Sequence, residues 1–152
     1  MKTAKTFIFI LGFIFYNHAH AYDGSPYLDF EGNWYTEANR AMWFYAMGDQ
    51  LIGNTTVEYT DYYGYPIGHK IEYNFIFDTF VTDNQIIGRL TTYDSFYRCS
   101  LDNGSATFTS LDDGRARIVF YKAIFQPRTC RVIRRIPAGQ FLSRFLPITP
   151  GP

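Results

Sequence analysis

The chain is poor in the residues that bind transition metals and carry out nucleophilic catalysis. It has two cysteines and three histidines, and only His69 of these histidines lies beyond residue 21. Zinc and copper sites are built mainly from cysteine and histidine, so a site of this kind lacks its donors. Serine hydrolases need a histidine base, and no G-x-S-x-G motif occurs. We therefore expect no enzyme activity, no metal and no cofactor, although a carboxylate pair of the glycosidase type stays formally open.

Long apolar runs are also missing, apart from FIFILGFIF at residues 7–15. Two lysines precede this run, and Ala19-His20-Ala21 follows with the small-x-small pattern of a signal-peptidase site. The run is too short to span a bilayer as a helix, which disfavours an uncleaved anchor. We expect a signal peptide over residues 1–21, cleaved after Ala21. Residues 22–152 then form one secreted or periplasmic domain with no transmembrane segment.

Acidic residues are absent from the last part of the chain. Residues 114–152 contain eight basic residues and no acid, whereas residues 22–113 contain fourteen acids against four basic residues, a net charge of −10. A basic end can mark a surface for an anionic partner. The simpler interpretation, which we favour, is that basic strands lie beside acidic strands and pair with them across a sheet. We expect no nucleic-acid partner, because an exported protein rarely meets nucleic acid.

The two cysteines are predicted to form a disulfide. Cys99 and Cys130 both lie beyond the predicted cleavage site, and an even pair in a small exported domain is most simply oxidised. Closing a loop of this length would stabilise the fold by about 3–4 kcal/mol on the chain-entropy model.

The pattern of apolar residues is that of a β protein. In KIEYNFIFDTF (70–80), apolar and polar residues alternate with the period of two that is typical of a half-buried strand. Turn signals of the Asp/Asn-Gly type divide the chain further, for example at Asp102-Asn103-Gly104 and Asp112-Asp113-Gly114. We predict an all-β fold, a small antiparallel up-and-down barrel of about eight strands, with a β-sandwich as the alternative. A short C-terminal helix is predicted in AGQFLSRFL (138–146).

Tyrosines are concentrated in a connecting segment, YTDYYGYPIGH (59–69). Tyrosine offers an apolar face and a polar tip, and is common where sugars, peptides or amphipathic ligands bind. The equally good alternative is that these rings cover one end of a barrel.

The segment LDFEGNWYTEANR (28–40) resembles the opening motif of the lipocalin family. Gly32, Trp34 and Tyr35 match its G-x-W-Y pattern, and Ala38 and Arg40 lie close to the expected small and basic positions. The resemblance implies an exported eight-stranded up-and-down barrel that binds a small apolar ligand at its mouth. It also implies that Trp34 packs across the closed end, beneath a basic residue from the last strand; the candidates are Arg131, Arg134 and Arg135.

These observations favour a non-catalytic binding protein for a small apolar or amphipathic ligand. The candidate ligand-binding residues are aromatic side chains of the strands and of the tyrosine-rich loop: Trp43, Tyr45, Tyr62, Tyr63, Tyr65, Tyr73 and Phe75. The strand residues among them, together with Phe77, are expected to form the core or to line a cavity. One alternative is an exported protein-interaction module (an inhibitor, an adhesin-like or an envelope-associated domain) that uses the tyrosine loop or the Arg-rich residues 128–135. Another is a carbohydrate-binding β-sandwich that stacks sugars on Trp43 and residues 62–65.

Overall fold

The computed structural model describes residues 25–112 and 114–146, in which eight antiparallel strands form one closed barrel. The strands are β1 (Gly32–Thr36), β2 (Ala41–Met47), β3 (Gln50–Thr60), β4 (Pro66–Thr82), β5 (Gln85–Asp94), β6 (Cys99–Ser110), β7 (Arg115–Gln126) and β8 (Arg131–Ser143). Each strand pairs with the next one along the chain, and β8 pairs with β1. The up-and-down barrel is therefore confirmed over the β-sandwich. The predicted signal peptide lies outside the described residues.

Alternation along the strands builds the barrel core. In β4, Phe75 and Phe77 are buried, and in β7 the buried residues Ala116, Ile118 and Phe120 alternate with more exposed ones. Large aromatic side chains dominate the interior, and Phe108 contacts the rings of Phe30, Trp34, Phe44 and Phe77. Burial of such rings is the main favourable term in a domain of this size.

Asp102-Asn103-Gly104 is not a hairpin turn, as its sequence predicts, but a bulge inside β6. Leu90 pairs with Gly104 while the next residue, Thr91, pairs with Asp102, so Asn103 is the extra residue. Gly104 adopts a φ of +89°, which glycine tolerates without steric cost. Gly104 thus has the positive φ that the sequence predicts, but this residue lies in a bulge that kinks strand β6, and the chain does not reverse direction there.

The predicted helix at 138–146 is wrong, because this segment belongs to strand β8 and the residues after it. β8 pairs with β7 from Gln126↔Arg131 to Arg115↔Ser143, and Leu142 is buried on its inner face. Without β8, one edge of β7 would present unpaired backbone groups. Pairing of this long strand therefore overrides the local helical pattern.

The barrel wall is complete at one end and incomplete at the other. β1 pairs with β8 only through Tyr35↔Ser143 and Thr36↔Leu142, and β2 pairs with β3 only as far as Trp43↔Asn54. Among the described residues, no strand pairs with β3 beyond Asn54 on its β2 side. We call the wide end, where β3 ends and β8 begins, the mouth. The opposite end is the closed end.

Candidate ligand-binding site

The closed end is built around Trp34, which is fully buried. Its indole Nε1–H donates a hydrogen bond to the carbonyl oxygen of Phe30 at 2.8 Å. The guanidinium of Arg144 lies 4.3 Å from the centre of the indole ring, the geometry of a cation–π contact. The same guanidinium donates to the carbonyl oxygens of Glu31 at 2.7 Å and Asp29 at 2.9 Å. One arginine thus joins the end of the chain's last strand to the segment before β1.

The expectation that Arg131, Arg134 or Arg135 covers Trp34 is wrong. These residues lie at the start of β8, at the mouth, whereas Arg144 directly follows the end of β8. A strand rises about 3.3 Å per residue, so roughly ten residues of β8 separate the expected arginines from Trp34 by about 30 Å.

Residues 25–31 complete the closed end. Tyr27 and Phe30 are buried, and the Tyr27 hydroxyl donates to the carbonyl oxygen of Asp49 at 2.6 Å. The Tyr27 ring also stacks on Phe80 with 5.0 Å between ring centres. Among the described residues, this end of the barrel is therefore filled by packed side chains.

At the mouth, the structure contains a cavity of about 170 Å³. The β1–β2 turn, the free edge of β3 and the inner faces of β4, β7 and β8 surround it. Its lining residues are Thr36, Arg40, Met42, Thr55, Val57, Tyr59, Tyr73, Phe75, Phe120, Lys122 and Gln140. A second cavity of about 180 Å³ shares Tyr59, Tyr73 and Lys122 with the first, and reaches across β5 and β6 towards Asp94.

The polarity of the first cavity changes with depth. Met42, Phe75 and Phe120 are buried and form an apolar floor. Arg40 and Lys122 are exposed and bring two cationic groups to its rim. The site therefore has an apolar base and a basic, partly hydrated entrance.

Asp94, which lines the neighbouring cavity, is held by hydrogen bonds within the protein. Asp94 is buried, and its Oδ1 lies 3.1 Å from Nε2 of His69. The same oxygen accepts hydrogen bonds from the backbone N–H groups of Phe96 and Tyr97. The His69 ring stacks on Tyr59 with 4.6 Å between ring centres, so the pair holds one wall of the mouth in place.

Tyr73 has a raised pKa, mainly because it is partly buried. Negative charge on the neighbouring Tyr59 would raise this pKa further, and the Arg40 cation lowers it. The Tyr73 phenol is therefore protonated at neutral pH, with its O–H available as a hydrogen-bond donor.

The sequence-based list of ligand-binding residues divides into three groups. Tyr73 and Phe75 line the cavity, and Phe77 belongs to the core beneath it. Trp43 and Tyr45 were expected to line the interior, but they are 57% and 40% exposed on the outer face of β2. The alternation of β2 explains this correction, because Met42 and Phe44 take the inward positions.

The tyrosines of the β3–β4 loop neither line the cavity nor cover the mouth. Tyr62, Tyr63 and Tyr65 are 96%, 80% and 69% exposed. The Asp61 carboxylate shapes this loop by accepting the backbone N–H groups of Tyr63 and Tyr65. Of the tyrosine-rich segment, only Tyr59 contributes to the cavity in the described structure.

Sequence reasoning missed Arg40 and Lys122. Lys122 could have been found, because it continues the inward series Ala116, Ile118 and Phe120 of β7. Arg40 carries no such signal, since it lies in the turn between β1 and β2.

The basic C-terminal strands meet the acidic part of the chain at Asp102. Arg89 Nη2 lies 3.1 Å from the Asp102 carboxylate, and Arg135 donates to the Asp102 carbonyl oxygen at 2.9 Å. A backbone hydrogen bond from Gly104, followed by these cations, lowers the pKa of Asp102. Arg131 and Arg134 remain exposed on β8.

The predicted disulfide is confirmed. Cys99 and Cys130 are bonded, and the link joins the start of β6 to the turn between β7 and β8 at the mouth. It lies where β6 and β7 are not paired, because their ladder begins only at Thr107↔Val119.

Comparisons of the chain with protein-family models, curated proteins and solved structures give no significant match. The lipocalin resemblance therefore rests on this chain's own residues. Within residues 25–112 and 114–146, no helix is long and apolar enough to cross a membrane, and no group of three acidic, histidine or cysteine side chains is placed to hold a metal ion.

Proposed function

We propose that the protein is an exported, non-catalytic binding protein that holds a small amphipathic ligand in the mouth of its barrel. The observation that carries the proposal is a cavity with an apolar floor and a basic rim, opposite an end sealed by Trp34 and Arg144. This combination of a sealed end and an accessible cavity is typical of barrels that enclose one small ligand.

Two further features support this proposal. The arrangement of Gly32, Trp34 and the arginine over the indole matches what a lipocalin-like barrel requires, although the arginine comes from position 144. The disulfide supports export, because such bonds persist in oxidising compartments.

Sequencing the N-terminus of the protein recovered from its host should give Tyr22 as the first residue. A chain that retains Met1 would contradict cleavage.

The size of the cavity limits the ligand. Its volume of about 170 Å³ is smaller than the roughly 300–1,000 Å³ typical of sites for drug-sized molecules. It is close to the engineered cavity of about 150 Å³ that binds benzene in another protein. The part of the ligand held in this cavity is therefore the size of one aromatic ring or a short alkyl chain, and the neighbouring cavity of about 180 Å³ offers room for a further group of that size.

A cavity-filling variant tests the site. Val57→Trp places a large side chain in the cavity from β3, and Thr56→Trp places the same side chain on the exposed face one residue earlier. Native mass spectrometry of protein purified from its own host should detect a retained small molecule in the wild type and in Thr56→Trp. The molecule should be absent from Val57→Trp. Retention by both variants would mean that the ligand binds elsewhere.

The protein-interaction alternative has one observation in its favour. Trp43 and Met47 are 57% and 60% exposed on the outer face of β2, and Tyr45 lies between them. Trp43→Ser should then abolish a complex with a protein from the export compartment while leaving small-ligand binding unchanged.

The carbohydrate alternative is less well supported, because the rings of Tyr62 and Tyr63 are perpendicular, at 85°, and do not form one stacking platform.

A further inference from the structure

We infer that the mouth cavity selects an anionic amphiphile, with Arg40 and Lys122 holding the anionic head group above a short apolar tail. This inference rests on the proposed function and names the chemical class of its ligand.

The two cations approach one cavity from different walls. Arg40 lies in the β1–β2 turn, and Lys122 lies on β7, in the part of that strand that pairs with β8 but not with β6. Among the ion pairs of residues 25–112 and 114–146, none includes either side chain within 4.0 Å. Two cations that share a cavity without a carboxylate repel each other, and an anion between them would remove this repulsion.

Two basic residues elsewhere on the barrel do have a carboxylate partner. Lys70 pairs with Glu58 at 3.4 Å, and Arg89 pairs with Asp102 at 3.1 Å. Asp94, the acidic side chain that lines the neighbouring cavity, is bound to His69 and to two backbone N–H groups. Asp94 is thus engaged, and among the described residues no carboxylate lies within 4.0 Å of the Arg40 guanidinium or the Lys122 ammonium group.

Two phenols supply neutral donors next to the cations. Tyr59 and Tyr73 both line the cavity, and burial raises the pKa of Tyr73 further above its ordinary value, so its O–H is present as a donor at neutral pH. A carboxylate or phosphate can accept several hydrogen bonds at once, which matches two cations and two hydroxyl groups. A neutral alcohol has less acceptor capacity and no charge to pair with the arginine and lysine.

The apolar floor of the cavity determines the size and polarity of the ligand's tail. Met42, Phe75 and Phe120 offer only apolar surface, and the floor holds about one ring or a short chain. A short alkyl or aryl carboxylate, phosphate or sulfonate therefore meets both halves of the site. These head groups share the recognition chemistry, and the experiment distinguishes them.

The test is a titration followed by two-dimensional amide NMR with three probes of equal chain length: hexanoate, hexyl phosphate and 1-hexanol. We expect at least one of the two anions to perturb residues at the mouth and to bind about tenfold or more tightly than 1-hexanol. The tighter anion identifies the head group.

Charge-removing variants then locate the head group. Arg40→Gln and Lys122→Gln should each weaken anion binding by about tenfold and leave 1-hexanol binding unchanged. Arg131→Gln is the matched control, because it removes an exposed arginine that does not line the cavity. It should leave all affinities unchanged.

The outcomes separate this inference from the proposed function. Equal binding of the anions and 1-hexanol, unaffected by either cavity variant, would overturn the anionic head group while keeping the binding cavity. Equal weakening by Arg131→Gln would also overturn it, because general surface charge would then explain the effect. The absence of any perturbation at the mouth with all three probes would overturn both.

Discussion

At the scale of single residues, Arg144 makes the contacts that join the two ends of the described chain. It stacks over the buried Trp34 and donates to two carbonyl oxygens of residues 29–31. Cation–π contacts contribute about 0.5–2 kcal/mol, and hydrogen bonds from charged groups contribute about 1.5–3 kcal/mol each. These contributions overlap in one side chain, so they do not add fully.

We predict that Arg144→Gln lowers the free energy of unfolding by about 2–4 kcal/mol, measured by urea denaturation. The matched control is Arg117→Gln, which removes a guanidinium that lies 5.8 Å from the ring of the exposed Phe141. This control should change stability by less than about 1 kcal/mol, because exposed contacts of this kind contribute little. Similar losses in the two variants would mean that Arg144 has no special role at the closed end.

Asn103 is a second residue whose side chain replaces missing backbone pairing. It is buried, with its Oδ1 accepting from the Thr92 hydroxyl at 2.9 Å and its Nδ2–H donating to the Tyr121 carbonyl oxygen at 2.9 Å. Tyr121 lies on β7 beyond the point where β6 and β7 pair. The amide therefore bridges a gap in the sheet that backbone hydrogen bonds leave open.

Asn103→Ala should destabilise the protein by about 1–3 kcal/mol, because it leaves a hydroxyl and a carbonyl without their partner. Asn54→Ala is the control, since Asn54 is exposed on the outer face of β3. Its effect should stay within about 0.5 kcal/mol. Thermal or urea unfolding measures both variants, and equal effects would contradict the bridging role.

The sequence predicts a residue of the site only where apolar and polar residues alternate regularly along its strand. Tyr73 and Phe75 are large, apolar or amphipathic, and lie on the inward face of a regular strand, so the pattern of KIEYNFIF found them. Arg40 lies in a turn and follows no such pattern. Lys122 continues the inward series of β7, but its charge argues for the outside of the barrel. The prediction that Trp43 lines the interior was wrong because a tryptophan on the outer face of a strand cannot be distinguished from a core tryptophan by residue type alone.

At the scale of secondary-structure elements, the C-terminal segment shows why local pattern and topology can disagree. Ala138, Phe141, Leu142 and Phe145 have the i, i+3, i+4, i+7 spacing of an amphipathic helix. In the structure, Ala138 packs against the core and Leu142 is buried, while Phe141 is exposed, as a period of two requires. The sequence contains both periods, and the long ladder with β7 selects the strand.

The β7–β8 hairpin also depends on the disulfide. Beyond Val119, β7 pairs with β8 but no longer with β6, so Cys99–Cys130 and the Asn103 bridge connect this hairpin to β6. The upper part of the hairpin therefore has a covalent link where an ordinary barrel has a backbone ladder.

We predict that replacing both cysteines by alanine lowers the free energy of unfolding by about 3–4 kcal/mol and loosens this hairpin locally. Hydrogen exchange should become faster for the amides of 120–136. The paired segment of β6 and β7, Thr107–Ser110 with Ala116–Val119, should change only through the loss of global stability. Reduction of the wild-type protein should reproduce the pattern. A uniform increase in exchange would show that the bond acts only on the unfolded state.

At the scale of the whole molecule, the barrel is divided into a sealed half and an open half. The sealed half contains the packed rings of Phe30, Trp34, Phe44, Phe77 and Phe108. The open half contains the cavity and the edge of β3 that has no pairing partner beyond Asn54 among the described strands. Local stability follows buried apolar contact and paired backbone, so the two halves should open with different free energies.

We predict that native-state hydrogen exchange separates these halves. Amides near the closed end, such as those of Trp34 and Phe108, should exchange only on global unfolding. Amides of β3 beyond Asn54 should exchange through smaller openings, because only β4 pairs with that part of β3 among the described residues. An anion bound between Arg40 and Lys122 should slow exchange at the mouth first, because it bridges the β1–β2 turn and β7, which do not pair directly with each other in the strand order. Equal protection of both halves in the free protein would contradict this division, and a ligand effect confined to the closed end would contradict the position of the site.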